Sequence, residues 1–458
     1  MNQPPAPRDM VRSGLCIGCG SCVAQAASAD AEMRFDGYGQ LRPAGSAEWL
    51  RTSSARLSRT CPFSPLAQDE DALAAALFPH APRHDGSVGR YEAAYVGHVA
   101  EQDFRHKGSS GGMTSWVAAE LLRRRMVDAV AHVTPADPAA GGRFFRYRIS
   151  RSIADVRAGA QSRYYPVELS QVLATIFAEP GRYAVVGIPC FIKAIQLLRR
   201  EHPLLRERIR HTLGLFCGHM KSARFVEGLA WQMGVAVDEV ARVDFRSKDP
   251  HRQANWYHAR LRLHDGRSIG KDWWHLADGD WGAGFFMDAA CNACDDVVAE
   301  TADISFGDAW VEPYASDWQG NNVVVVRSPE LAALVADGIA DGRLALAPVD
   351  SAFVARTQAA GLRQRREGLA YRLARRRGGV RPRKRFADGA AAPALRRKLI
   401  YAMRAAISRW SHRVFRFARF AGRPGIYLRW ARVAAAGYHA VAYHRGRTGA
   451  LVRRLGLR

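Results

Sequence analysis

Eight cysteines fall into two groups of four. Cys16, Cys19 and Cys22 stand in a C-x2-C-x2-C loop, and Cys61 follows much later, directly before Pro62. A loop of this spacing wraps a cubane, each thiolate reaching a different iron, and in bacterial ferredoxins a Cys-Pro brings the fourth ligand. Gly18 and Gly20 leave room for backbone amides to face sulfide. Ferredoxins place the Cys-Pro close behind the triple, so Cys61 is assigned here by elimination. Zinc is the alternative, although zinc sites use paired C-x2-C units rather than a triple.

The second group is more scattered. Cys190 follows an apolar strand in GIPC, Cys217 follows another in GLFCGH, and Cys291 and Cys294 form a C-x2-C pair. In parallel α/β sheets such strand ends gather at one edge, where ligands bind. Alone, Cys190 or Cys217 reads as a core cysteine. As a foursome with no thiol left over, the set reads as a second cluster site. Other chemistry-bearing residues are ambiguous. His219 is a proton donor or a hydrogen-bonded histidine. Lys193 meets an anionic group or solvent, and Asp308 caps a turn or makes a polar contact at a ligand. KGSSGGMTSW sets Gly108, Ser109, Ser110, Gly111 and Gly112 ahead of a helix. Free N–H groups and a positive dipole end there suit a diphosphate, and side-chain-free Gly112 would let it approach. The same pattern also opens ordinary helices.

The elements that must hold these residues alternate. MTSWVAAELLRRR has Met113, Trp116, Val117 and Leu121 on one helical face, and VDAVAHV follows as a strand. RYAVVGIPC is a strand into a turn, FIKAIQLLRR a helix, RHTLGLFC a strand, and ADISFGD a short strand. This rhythm predicts an α/β fold with a parallel or mixed sheet. The expected organisation is a small ferredoxin-like iron–sulfur domain at 1–76, a linker at 77–87 and a ligand- and cluster-binding α/β domain at 88–350. A basic linker at 351–394, most basic from 375, and a basic helical tail at 395–458 complete it.

Five segments carry a resemblance: GSSGGMTSWVAAELLRRRMVDAV, QSRYYPVE, VVGIPCFIKAIQLL, LGLFCGH and CNACDDVVAETADISFGDAW. In this order they resemble the coenzyme F420 hydrogenase/dehydrogenase beta-subunit family, over about residues 10 to 325. That family includes iron–sulfur flavoproteins that pass electrons between a hydride carrier and one-electron partners. Subunits of deazaflavin-reducing hydrogenases and ferredoxin-fed chlorophyll-cycle reductases are among them. The resemblance implies two 4Fe–4S clusters and FAD, the latter held by residues 108–112 and by Gln161, Ser162, Arg163 and Tyr164. Arg163 would pair with a phosphate and Tyr164 pack on a ring or in the core. The implied partners are a one-electron protein such as a ferredoxin and a hydride carrier, deazaflavin or nicotinamide, or a small substrate. A non-enzymatic iron–sulfur sensor or scaffold is the alternative.

Charge divides the chain. Residues 361–458 hold 27 Lys and Arg against 2 Asp and Glu, whereas the rest is nearly balanced. No secretory h-region and no membrane-spanning run appear, so a cytoplasmic protein is expected. In the tail Leu399, Met403, Ile407, Trp410, Val414 and Phe417 mark one apolar helical face among arginines. Such a helix fits the surface of an anionic membrane at its inner face. A hairpin packed on the body is the alternative, and no nucleic-acid-binding motif accompanies the charge. Every candidate ligand lies upstream of residue 310, so the tail is expected to be separable from the cofactor sites.

Overall fold

A computed structural model describes residues 4–386 and 393–454. Its centre is an eight-stranded mixed sheet. The strand order is Leu344–Pro348, Ala93–Val99, Asn322–Val326, Ile304–Asp308, Ile209–Leu215, Tyr183–Gly187, Ala129–Pro135 and Phe145–Ser150. Strands 304–308, 209–215, 183–187 and 129–135 run parallel, and antiparallel strands flank them. Strands 183–187 and 322–326 are buried throughout, as expected where both sheet faces are covered.

Period-two alternation assigns the two faces. Ala184 and Val186 face a core shared with Trp116, Val117 and Leu121 of helix Met113–Arg123. Tyr183 and Val185 face the other core, with Phe191, Ile192 and Ile195 of helix Pro189–Glu201. That second core also contains Met10, Leu15, Ile17, Cys19 and Phe63. The N-terminal region, built from short helices and the hairpin of Glu32–Phe35 with Leu41–Ala44, therefore has no separate core of its own. A three-stranded antiparallel sheet, Val240–Ser247, His258–Leu263 and Ser268–Asp272, packs elsewhere on the body.

Both expected linkers are built into the fold. The stretch 77–87 includes strand Arg83–Asp85, paired with Gly89–Tyr91. Between 351 and 374 lie helices Ser351–Thr357, Ala359–Arg365 and Glu367–Ala374. Lys384 and Arg385 then run into the interior, where Asp295 and Glu300 neutralise them. Charge composition marked this stretch as solvated because it does not show that the counter-charges come from elsewhere. Residues 387–392 of the expected linker lie outside the described residues.

The tail forms helices Leu395–Phe420, Pro424–Tyr443 and Gly446–Arg454. The first packs on the body through Ile400, Arg404, Ile407, Ser411, Phe415 and Ala418, while Leu399, Trp410 and Phe417 are exposed. Of the expected apolar face, Ile407 thus joins the contact and Met403 and Val414 pack at its edge, while the other three residues face outward. Much of the contact is polar. The Phe286 N–H donates to Ser411 Oγ at 2.9 Å, and Ser408 Oγ donates to the Met287 carbonyl at 2.9 Å. Among the described residues no helix is long and apolar enough to cross a membrane.

Candidate functional site

The first four thiols come together. Cys16, Cys19, Cys22 and Cys61 line one pocket of about 540 Å³, partly open to solvent, with Pro62, Phe63, Met33 and Leu57. Gly20, at φ +82°, makes the loop possible: a Cβ there would stand 2.9 Å from the Ser170 nitrogen. Burial pushes all four thiols up, Cys19 to about 11 and Cys61 to about 12. Such thiols stay protonated until a cationic centre draws them to thiolates. Four thiols around one pocket fit an iron–sulfur cluster. Among the described residues no three His, Cys, Asp or Glu side chains converge as on a single ion. The nearby cations are paired. Arg42 donates to the Cys16 carbonyl at 2.6 Å and to Asp288 Oδ2 at 2.9 Å.

The second set converges from separate elements. Cys190 sits in the first turn of helix 189–201, and Cys217 just beyond strand 209–215. Cys291 and Cys294 lie on a short helical turn, Ala289–Ala293, and its cap. Burial first, then the charges of Cys294, Cys217 and Cys291, drive the Cys190 thiol well up. The Met220 N–H donates to Cys291 Sγ at 3.3 Å. The donor set, thiol-only and with Cys294 buried and the other three half-buried, again fits a cluster. Cys19 also acts on Cys190, and Tyr147 responds to both, so the two sets are neighbours.

The ambiguous residues resolve into structural roles. Lys193 is buried, not solvated, and pairs with Glu70, with Nζ 3.1 Å from Oε2. Asp308 caps no turn; Arg246 grips it with two hydrogen bonds of 2.9 and 3.1 Å and lies over the Tyr257 and Trp310 rings. His219 is buried, stacked on Trp281 at 4.5 Å, and accepts from Arg404 at Nδ1. Burial, then Lys221, Arg404 and Arg365, push its pKa well down, so it is a neutral imidazole.

The two segments expected to hold flavin are brought together. The Ser162 N–H donates to Ser109 Oγ at 2.8 Å. The glycines of the first segment are also needed for packing. A Cβ on Gly112, at φ +87°, would lie 2.7 Å from the Phe104 carbonyl, and one on Gly111 would lie 2.8 Å from the Gly97 carbonyl. Asn322 Oδ1 already accepts the Met113 N–H, and Ser110 donates to the Asn321 carbonyl. Gly108 is the C-cap of the preceding helical turn. What suits an anionic ligand is Arg163, whose Nε is buried without a hydrogen-bond partner and whose pKa burial lowers to about 10. Gln161, exposed at φ +90°, turns the chain there. Tyr164 is occupied by Trp281, Phe245 and Trp273, its ring 4.6 Å from the first. Lys248 was not anticipated. It donates to the Arg105 and Ser110 carbonyls at 2.7 and 3.2 Å, and burial lowers its pKa to about 7. No motif marked it in the sequence.

Two family models match the chain. Residues 94–174 match the N-terminal part of the coenzyme F420 hydrogenase/dehydrogenase beta subunit, and residues 181–352 its C-terminal part. The chain belongs to this family. Membership supports an iron–sulfur oxidoreductase. A chain of the F420-reducing [NiFe] hydrogenase complex from Methanosarcina barkeri shares the fold, with a TM-score of 0.50 at 14% identity. That alignment covers 66% of this chain and 99% of that one. A comparison with curated proteins finds no match. The family segments include residues 108–112, residues 161–164 and the second thiol set. The first thiol set and everything beyond 352 lie outside them.

Proposed function

We propose that this protein is an FAD- and iron–sulfur-dependent oxidoreductase with two 4Fe–4S clusters. It passes electrons between a two-electron hydride carrier or substrate and a one-electron protein such as a ferredoxin. The observation that carries this reading is the adjacency of two complete four-thiol sets, Cys19 acting on Cys190, with no cysteine left over. Bound FAD would supply hydride chemistry, and the clusters single-electron transfer. Cys16, Cys19, Cys22 and Cys61 would hold one cluster, and Cys190, Cys217, Cys291 and Cys294 the other. Ser109, Ser162, Arg163 and Lys248 would hold the anionic part of the flavin. The hydrophobic lining, Met33, Leu57 and Phe63 at the first set, limits water at the sulfurs.

Anaerobic purification with iron, sulfide and flavin assays tests this. About eight irons and one FAD per chain are expected. Zinc in place of iron, or clusters without flavin, would overturn the enzyme reading, the second result favouring a sensor.

We also propose that the tail meets an anionic membrane. Leu395, Leu399, Trp410, Phe417 and Phe420 are all exposed on helix 395–420. At about 3.6 residues per turn they fall within about 80° of one another, opposite the packed face. Arg409 and Arg416 border this stripe and Arg413 lies within it, a pattern suited to an interfacial helix.

A further inference from the structure

Beyond residue 352, outside the family-matched segments, the chain returns to the second thiol set. Arg365 ends helix 359–365 and is 4% exposed. Its Nη2 donates to the carbonyls of Cys217 and Gly218, at 2.8 and 2.7 Å. No carboxylate pairs with it among the described residues. Arg404, also buried, donates to the Gly282 carbonyl and to His219, and Arg372 donates to the Asn292 carbonyl at 2.9 Å. Neither forms an ion pair among the described residues. Of the carboxylates nearby, Asp288 pairs with Arg42, Asp295 with Lys384 and Glu300 with Arg385, while buried Asp296 accepts the Val298 and Glu300 N–H groups and pairs with no cation among the described residues. Buried cations without counter-charge are costly. An anionic iron–sulfur centre on the four thiols would supply that counter-charge.

We propose that Arg365 is a positioning residue of the second four-thiol centre. It clamps the Cys217–Gly218 turn and raises the reduction potential of the centre bound there. The proposal rests on the two-cluster reading. Reduction adds one electron and breaks no bond, so a fixed positive charge beside the thiolates favours the reduced form by Coulomb attraction alone. The first set has no equivalent, because Arg42 and Lys193 beside it are paired with Asp288 and Glu70.

The test compares full-length wild type, Arg365→Gln and Arg365→Lys, prepared anaerobically. Iron and sulfide are assayed, and a dithionite titration is followed by electron paramagnetic resonance. In Arg365→Gln the second centre should become harder to reduce by at least about tenfold, about 59 mV for one electron. The first centre should shift less. Arg365→Lys keeps the charge and should recover most of that shift. Loss of half the iron in Arg365→Gln, with recovery in Arg365→Lys, would likewise support positioning. Wild type lacking two iron–sulfur centres would overturn the two-cluster reading and the proposal with it. Two centres in wild type with the same potentials in Arg365→Gln would overturn the role of Arg365 alone.

Discussion

The two thiol sets are built in opposite ways. Three members of the first come from one short loop, and its neighbouring cations are cancelled locally by Asp288 and Glu70. The second is gathered from a helix start, a strand end and a C-x2-C turn, and its unpaired cations arrive from a segment more than 70 residues beyond its last ligand. Ligand identity is thus a local property and electrostatic environment a global one. Two sets of identical donors can be tuned apart by charges that their own motifs do not contain.

The bluntest way to break the comparison is to remove a ligand from one set only. Cys19 is a poor choice, because it belongs to the core that both sets share. Cys22 faces the first pocket, and its thiol responds to Cys16, Cys19 and Cys61. Cys22→Ser should lose about half the iron and keep the second centre's spectrum, as measured by iron assay and paramagnetic resonance. Loss of all iron would mean that the two sets do not assemble independently.

The difference also explains what the sequence revealed. The central strands were legible because runs such as AVVG and AVAHV are bounded by turns, and the helix from Met113 because its apolar residues repeat at helical spacing. The eight cysteines were legible as two sets because chemistry restricts what thiols do. The environment was not. Lys193, Asp308 and His219 each had a bland alternative and a functional one, and their true partners, Glu70, Arg246 and Arg404, lie far away in sequence. Gly111 and Gly112 are needed by packing, and a sequence does not separate that need from a cofactor's. Residues 351–386 were assigned to a linker because a basic run discloses nothing about buried carboxylates elsewhere.

A middle-sized effect probes the ion pairs under the second set. Lys384 and Asp295 are both buried, with Nζ 2.8 Å from Oδ1. Lys384→Met removes the close partner and leaves buried Asp295 with only the Arg385 side chain at 3.7 Å and its N–H, which costs up to about 3–5 kcal/mol. Arg383, next to it but exposed, pairs with Asp69 at 3.2 Å, and Arg383→Met should cost no more than about 1 kcal/mol. Denaturation midpoints measured side by side decide this. Equal midpoints would show that residue 384 does belong to a solvated linker. The same pairing means that truncation at residue 361 is not a clean test of the tail, since it strips Arg365, Lys384 and Arg385 from the body together.

The smallest expected effect concerns the outward face of helix 395–420 and calls for substitutions rather than truncation. Trp410, Phe417 and Phe420 are 49%, 59% and 90% exposed, so alanine at all three leaves the packed face of helix 395–420 untouched. Binding to anionic vesicles should have two parts. The charge part, roughly 1 kcal/mol for each Lys or Arg near the surface, weakens with salt because exposed charges are screened over about 8 Å at physiological ionic strength. The apolar part comes from ring insertion and survives salt. Trp410→Ala/Phe417→Ala/Phe420→Ala should therefore bind almost normally at low salt and lose its salt-resistant fraction, while iron and flavin contents stay unchanged. Sedimentation with anionic and neutral vesicles at two salt concentrations measures both parts. Indifference of wild type to lipid charge would sink the membrane reading, and the stripe would then belong to a protein partner.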